Sequence, residues 1–478
     1  MLADSPSRLK NFIWPHEDDP KERLLLDPIP QEEMNQIMLK PMLKRPSAGY
    51  WLLVAMLASV VAICLFGYWF YMMRWGMGIA GIRRPTGWGL FIVTFVFWIG
   101  ISHSGTFVSA ILRVFNAEFR RPITRAAELM TSFSLICGGL YPIIHLGRAW
   151  VVYWMVPIPN QRGLWGNFQS PLSWDLLAIT TYLLGSTIYV FLPMIPDLAM
   201  TRDHTAGWRH VLYKLTSLGW RGLEYEWHYL HKAINIFAFA IIPIMFSVHT
   251  IVSWDFAMTQ QTGWHSSIFG PYFVVGAILS GVSAVIAVLL VVRKTMNLQY
   301  FLRPEHFDAL AKLVLIFSMS WTYFFFNDYL VEWYGGDWVG HKLLTFQARG
   351  PIAPFWYAML IFNALIPAAT LWNRRVRRSP MALFLIAIGI NIGMYLERFL
   401  IIPGFLQRNR LPFNWGYYNP RGPEIFIPLG TLALFCLLYI LASRVIPLIP
   451  VWEVLEGQLS HSRRRIGKTV VTSIAELE

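Results

Sequence analysis

Three short motifs place reactive side chains inside otherwise apolar sequence. Tyr141-Pro142-Ile143-Ile144-His145-Leu146-Gly147-Arg148 carries an imidazole and a guanidinium. Ser-Trp-Asp occurs twice, at 173–175 and 253–255, and contributes the carboxyl groups of Asp175 and Asp255; His249 lies six residues before the second copy's aspartate. A histidine with two carboxylates suits a substrate that gives up protons. Each can accept one near neutral pH when its surroundings tune it. Two carboxyl groups beside one imidazole favour different protonation states. A quinol fits that chemistry, because it loses two protons with two electrons and needs an acceptor at each hydroxyl. The same residues have plainer readings. Asp175 follows Pro171 and Ser173 at a helix start, where a carboxylate complements the helix dipole. His145, His249 and the paired Ser-Trp-Asp motifs could also be interfacial anchors.

A second group, His103, Glu128 and Asp197, falls nearer the opposite ends of the same runs. It reads as the inner part of a proton route, or as helix-end groups paired with Arg120, Arg121 or Arg125. Asp328, Glu332, Glu397 and Arg398 lie further along, in apolar runs where charges normally pair with one another.

The elements that must hold these groups are membrane helices. Of the 478 residues, 55% are hydrophobic and 14% charged, against about 25% charged in soluble domains. The 22 tryptophans suit helix ends in a membrane interface. Ten runs reach the length of about 20 apolar residues that a span requires: 49–73, 87–112, 127–156, 172–200, 230–254, 266–292, 310–334, 351–372, 380–403 and 424–448. Pro142, Pro193 and Pro243 lie inside runs and are expected to kink them. Basic residues cluster at both ends of the chain and after even-numbered runs, as in Arg113, Arg120, Arg121 and Arg125 or Arg374, Arg375, Arg377 and Arg378. The stretch 255–265 has no Lys or Arg. This bias predicts a multi-pass protein of a bacterial inner membrane with both termini cytoplasmic. It puts His145, Arg148, Asp175, His249 and Asp255 at one outer level. Residues 1–48 lack the order of a signal peptide and read as a cytoplasmic extension that wraps a partner or neighbouring loops.

Several chemistries are disfavoured. The net charge of +13 is explained by the topology of the loops, so nucleic acid is not implied. Cys64, Cys137 and Cys436 are isolated in apolar runs, which argues against an iron–sulfur cluster, zinc or covalent haem in this chain. Histidines paired at two depths, as a membrane cytochrome b requires, are not evident. No metal site is expected, and no nucleotide motif is visible.

Read together, Ile101-Ser102-His103-Ser104-Gly105-Thr106, Arg125-Ala126-Ala127-Glu128, the Tyr141–Arg148 motif, Ser173-Trp174-Asp175, Pro196-Asp197-Leu198-Ala199 and His249–Ala257 resemble the NrfD/polysulfide-reductase family of membrane subunits. Within that family the likeness is greatest to the ActC branch, the quinol-binding membrane subunit of bacterial alternative complex III. The resemblance implies an all-α polytopic fold with two four-helix bundles and two flanking helices. Its divisions would be 1–48 (N-terminal extension), 49–86 (first flanking helix and loop), 87–257 (first bundle), 258–404 (second bundle), 405–448 (loop and last flanking helix) and 449–478 (basic tail). It implies menaquinol oxidation near the periplasmic face, with His145, Asp175 and Asp255 at quinol-contacting positions. Electrons would pass to a periplasmic iron–sulfur subunit and c-type haem subunits, alongside a second NrfD-like membrane subunit. Proton translocation through His103, Glu128 and Asp197 is a further expectation. Two other functions fit a ten-span chain. A secondary transporter would place its site near the midplane on broken helices. A non-catalytic anchor for a peripheral redox enzyme would leave His145 and both aspartates dispensable.

Overall fold

Long apolar segments in a bilayer must satisfy their backbone groups internally, and helices do so. The computed structural model describes residues 37, 39, 42–156, 170–335, 337–409, 411–460, 463–466 and 469–472. Ten of its helices are long and apolar enough to cross a membrane. In chain order they are α1 (Ala48–Trp75), α2 (Leu90–Val114), α3 (Thr124–His145), α4 (Pro171–Asp203), α6 (Glu224–Ala257), α7 (Phe269–Thr295), α8 (Pro304–Tyr334), α10 (Ala353–Thr370), α11 (Pro380–Gly404) and α12 (Gly422–Ala442). Three shorter helices join or follow them: α5 (Trp208–Thr216), α9 (Trp338–Arg349) and α13 (Val451–Ser460). The expected all-α polytopic architecture is therefore observed. Two short antiparallel strands, β1 (Arg463–Ile466) and β2 (Thr469–Thr472), follow α13.

The helix starts obey simple chemistry. Ser47 caps α1 by accepting a hydrogen bond from the Tyr50 amide at 3.2 Å. Proline opens α4, α8 and α11, where its missing N–H costs nothing. The third apolar run is shorter as a helix than its sequence suggests. It stops at His145, and Ala149–Met155 forms 3₁₀ turns instead. The break falls at Gly147, whose φ of 70° suits glycine. Pro142, Pro193 and Pro243 lie within α3, α4 and α6, and each helix continues past its proline.

Helices α2, α3, α4 and α6 pack around one another, and α7, α8, α10 and α11 form a second group of four. Helix α2 lies against α7 and α11 and so joins the two groups, while α12 packs on α1 and α3. Burial follows from this placement. In the most apolar stretch of α2, 89% of residues are buried, against 11% in α1. Helix α2 is thus interior and α1 peripheral. Small residues allow the close approaches. A side chain at Gly105 would run into Thr131 Oγ1 and the Ala127 carbonyl of α3, and one at Gly281 of α7 would meet the Ser104 backbone of α2. Of the N-terminal extension read from sequence, residues 1–36 lie outside the described residues, as do 473–478 of the tail.

Candidate functional site

Each Ser-Trp-Asp motif sits at one end of a long helix, at the start of α4 and the end of α6. These two helices pack along each other. Packing on more than one side encloses both polar residues of each motif, Ser173 with Asp175 and Ser253 with Asp255. All four are buried, at 3%, 4%, 0% and 8% exposure. The intervening tryptophans meet edge to face, with Trp174 and Trp254 ring centroids 6.3 Å apart. The Asp175 and Asp255 carboxyl groups face one another closely enough to interact directly. Two carboxylates have no donor between them, so a hydrogen bond across this pair requires a proton on one. The Oδ1 atom of each has no hydrogen-bond partner. Two buried acceptor atoms thus remain next to a carboxyl pair, an arrangement suited to binding a hydroxyl-bearing substrate and taking its protons.

His145 is the last residue of α3, which packs on α4. Its Nδ1 is enclosed and unpaired. Arg148 lies past the turn at Gly147 and is exposed. The segment 157–169, between this turn and α4, lies outside the described residues.

His249 departs from the expected level. It lies within α6, six residues before Asp255. At about 1.5 Å rise per residue this puts it nearly 9 Å deeper. It is fully buried, with neither ring nitrogen hydrogen-bonded. Its neighbour is His103 of α2, at a centroid separation of 4.6 Å. His103 correspondingly does not join Glu128 and Asp197 in one cluster. Its Nδ1 lies 2.7 Å from the Ile99 carbonyl and its Nε2 2.8 Å from the Met245 carbonyl. Only a doubly protonated ring can donate to both. Both ring nitrogens of His103 therefore lie against main-chain carbonyls of the bundle.

Glu128 and Asp197 lie at the other end of the first group, among arginines. Arg125 Nη2 donates to Asp197 Oδ2 at 3.0 Å and to the Pro193 carbonyl at 2.9 Å. Both side chains of this pair are essentially unexposed. Glu128 is buried amid the charges of Arg125, Glu453, Arg113 and Arg120, and its Oε2 has no partner. Sequence reasoning anticipated Arg120, Arg121 and Arg125 as partners here. It missed Glu453, which is separated from Arg120 by 333 residues.

In the second group, Glu397 accepts from Trp321 Nε1 at 2.7 Å and pairs with Arg398 at 3.0 Å. The Arg398 guanidinium lies 4.3 Å from the centre of the Phe273 ring. The expected pairing of these charges is therefore present. Asp328 accepts from Ser266 Oγ at 2.7 Å.

The family model described as "Polysulphide reductase, NrfD" matches residues 79–408, which span α2 to α11 and every residue discussed above as a site candidate except Glu453. The chain belongs to the NrfD family. A putative dimethyl sulfoxide reductase membrane subunit from Halobacterium salinarum is 23% identical to it, over 83% of this chain and 91% of the relative. An Hdr-like menaquinol oxidoreductase integral membrane subunit of Archaeoglobus fulgidus is also 23% identical, over 84% and 95%. The menaquinone reductase integral membrane subunit of Nitratidesulfovibrio vulgaris is 23% identical, over 78% and 86%. Ten apolar helices and relatives of this kind make the chain a multi-pass integral membrane protein.

Proposed function

We propose that this NrfD-family chain is the quinol-binding membrane subunit of a quinol:acceptor oxidoreductase of the alternative complex III type. It oxidises menaquinol beside the Asp175–Asp255 pair, near the outer face. The observation that carries this reading is the carboxyl pair itself, built by two helices that repeat one motif and bury its aspartates. The printed names of two relatives, a menaquinol oxidoreductase subunit and a menaquinone reductase subunit, support the substrate class.

The chain's own groups do the following. The unprotonated member of the pair accepts a hydroxyl proton from the quinol. Asp175 Oδ1, Asp255 Oδ1 and His145 Nδ1 supply unpaired acceptor positions for the headgroup. Arg148, exposed beyond them, screens the negative charge that develops. Electrons leave to an iron–sulfur subunit on the periplasmic side and then to c-type haem subunits, with a second NrfD-like subunit in the same bilayer. His249 and His103 stand deeper on α6 and α2 and form the inner limit of the quinol region. Glu128 and Asp197 serve proton movement from the arginine-rich face, which is cytoplasmic, as are both termini.

The test is quinol oxidation by the purified complex with Asp175→Asn, Asp255→Asn or His145→Ala. Loss of at least about 10²-fold in the aspartate variants is expected, the size of a general-base contribution. Normal turnover in all three variants, assembled at normal amounts, would remove the basis of the reading. For the proton route, Glu128→Gln is expected to abolish proton uptake from the arginine-rich side while quinol oxidation continues. Unaltered uptake at normal turnover would exclude Glu128.

A further inference from the structure

The arginine-rich end of the first helix group is closed by a segment from the far end of the chain. Helix α13 touches all four helices of that group or the loops between them. From α2, Arg113 Nη1 lies 3.5 Å from Glu453 Oε1. From the α2–α3 loop, Arg120 Nη1 lies 2.9 Å from Glu453 Oε2, and Arg121 Nη1 donates to the Glu453 carbonyl at 3.0 Å and to Glu456 Oε2 at 2.6 Å. From α4, Asp197 Oδ1 accepts from the Trp452 amide at 3.3 Å, and the Pro193 carbonyl accepts from the Trp452 indole at 2.7 Å. From α6, the rings of Trp227 and His231 lie 5.4 Å and 5.5 Å from Trp452.

We propose that α13 is a cap on this mouth, and that Glu453 is its latch: a positioning residue that controls aqueous access to Glu128. Three features point this way. The contacts encircle the opening instead of following one helix. The latch residues are themselves sealed, Glu453 at 1% and Trp452 at 8% exposure. Further along α3, Glu128 Oε2 and Ser132 Oγ are buried and unpaired, and the charge of Glu453 acts on Glu128. A charged latch also differs from a greasy plug. Removing Glu453 leaves Arg113 and Arg120 facing one another without their shared anion, while Arg121 keeps Glu118 and Glu456, and the unbalanced pair drives the mouth apart. The cap does not depend on the quinol reading, because it concerns the opposite end of the bundle.

The test measures access directly. Ser132→Cys is introduced into the full chain with Cys64, Cys137 and Cys436 changed to alanine. Its reaction with a hydrophilic maleimide is timed in opened membranes. With α13 in place it is expected to react far more slowly than a cysteine at exposed Tyr225. Glu453→Gln with Trp452→Phe is expected to raise the rate by about tenfold or more, as local opening becomes easy. A chain ending at Pro450 should do the same, and Glu453→Asp should restore protection. Equal rates at positions 132 and 225 in the otherwise unaltered chain would overturn the proposal. So would an unchanged rate in the Glu453→Gln/Trp452→Phe variant, which decides the matter alone if the shortened chain does not accumulate. Asp255→Asn should leave every labelling rate unchanged, so failure of the quinol reading and failure of the cap are read separately.

Discussion

Two buried charge arrangements in the first helix group differ at the level of single residues. The Asp175–Asp255 contact brings two like groups together, and an amide in place of one member can donate to the remaining carboxylate. Asp175→Asn is therefore expected to leave the melting temperature of the purified protein nearly unchanged while quinol oxidation collapses. A parallel fall in both would reduce Asp175 to a structural role. The Arg125–Asp197 pair behaves oppositely. Its members are opposite in charge and fully enclosed. Asp197→Ala strands a buried guanidinium and should cost about 3–5 kcal/mol, whereas Arg125→Met with Asp197→Leu should recover most of that loss. Thermal melting in detergent distinguishes the two outcomes. The aspartate pair was legible in the sequence because a three-residue motif recurred in chemically odd surroundings. The His103–His249 contact was not legible. Run boundaries in an apolar sequence are soft, and α6 continues to Ala257, three residues past the end of the apolar run at 254. Depth counted from run ends therefore placed His249 too near the surface.

At the scale of elements, hydropathy marked all ten spans because every membrane helix must be apolar around most of its circumference. It could not mark α5, α9 or α13, whose lengths and charges resemble those of loops. It also could not show which spans are interior, since lipid-facing and core-facing residues are equally apolar. Glycine carries that information. Gly105 of α2 lies against the Ala127 backbone and the Thr131 side chain of α3. Gly105→Ala must push α2 from α3, and about 1–3 kcal/mol of destabilisation is expected from such overpacking. A melting temperature equal to that of the parent would show that the two helices yield more easily than their packing implies. The attachment of α13 responds to pH. Burial pushes the Glu453 carboxyl up, but Arg120, Arg113, Arg121 and Arg125 outweigh it and hold the group below the usual glutamate value. A lowered folded-state value means that the ion pairs stabilise the attached helix fully above the ordinary glutamate range. That stabilisation is lost as pH falls through the lowered value. Protease cleavage between α12 and α13 should accordingly stay slow at neutral pH and accelerate only in strong acid. Acceleration on going from pH 7 to pH 6 would contradict the sign.

For the whole molecule, the proposed orientation puts the basic loops in the cytoplasm and the enclosed carboxyl pair at the opposite face. A cysteine replacing exposed Leu411 should react with an impermeant reagent added to the outside of intact cells. One replacing Tyr225 should react only after the cells are opened. The reverse pattern would invert the protein and place Asp175 and Asp255 on the cytoplasmic side.

The contact between Gly281 and the Ser104 backbone has a mechanical consequence. Machines that alternate a site between two faces rock one half against the other about a compliant seam. Here α2 and α7 approach closely at a glycine, leaving little room to absorb a tilt, and close-packed interiors resist continuous deformation. A close approach at this point favours small rearrangements of side chains over rocking of one helix group against the other.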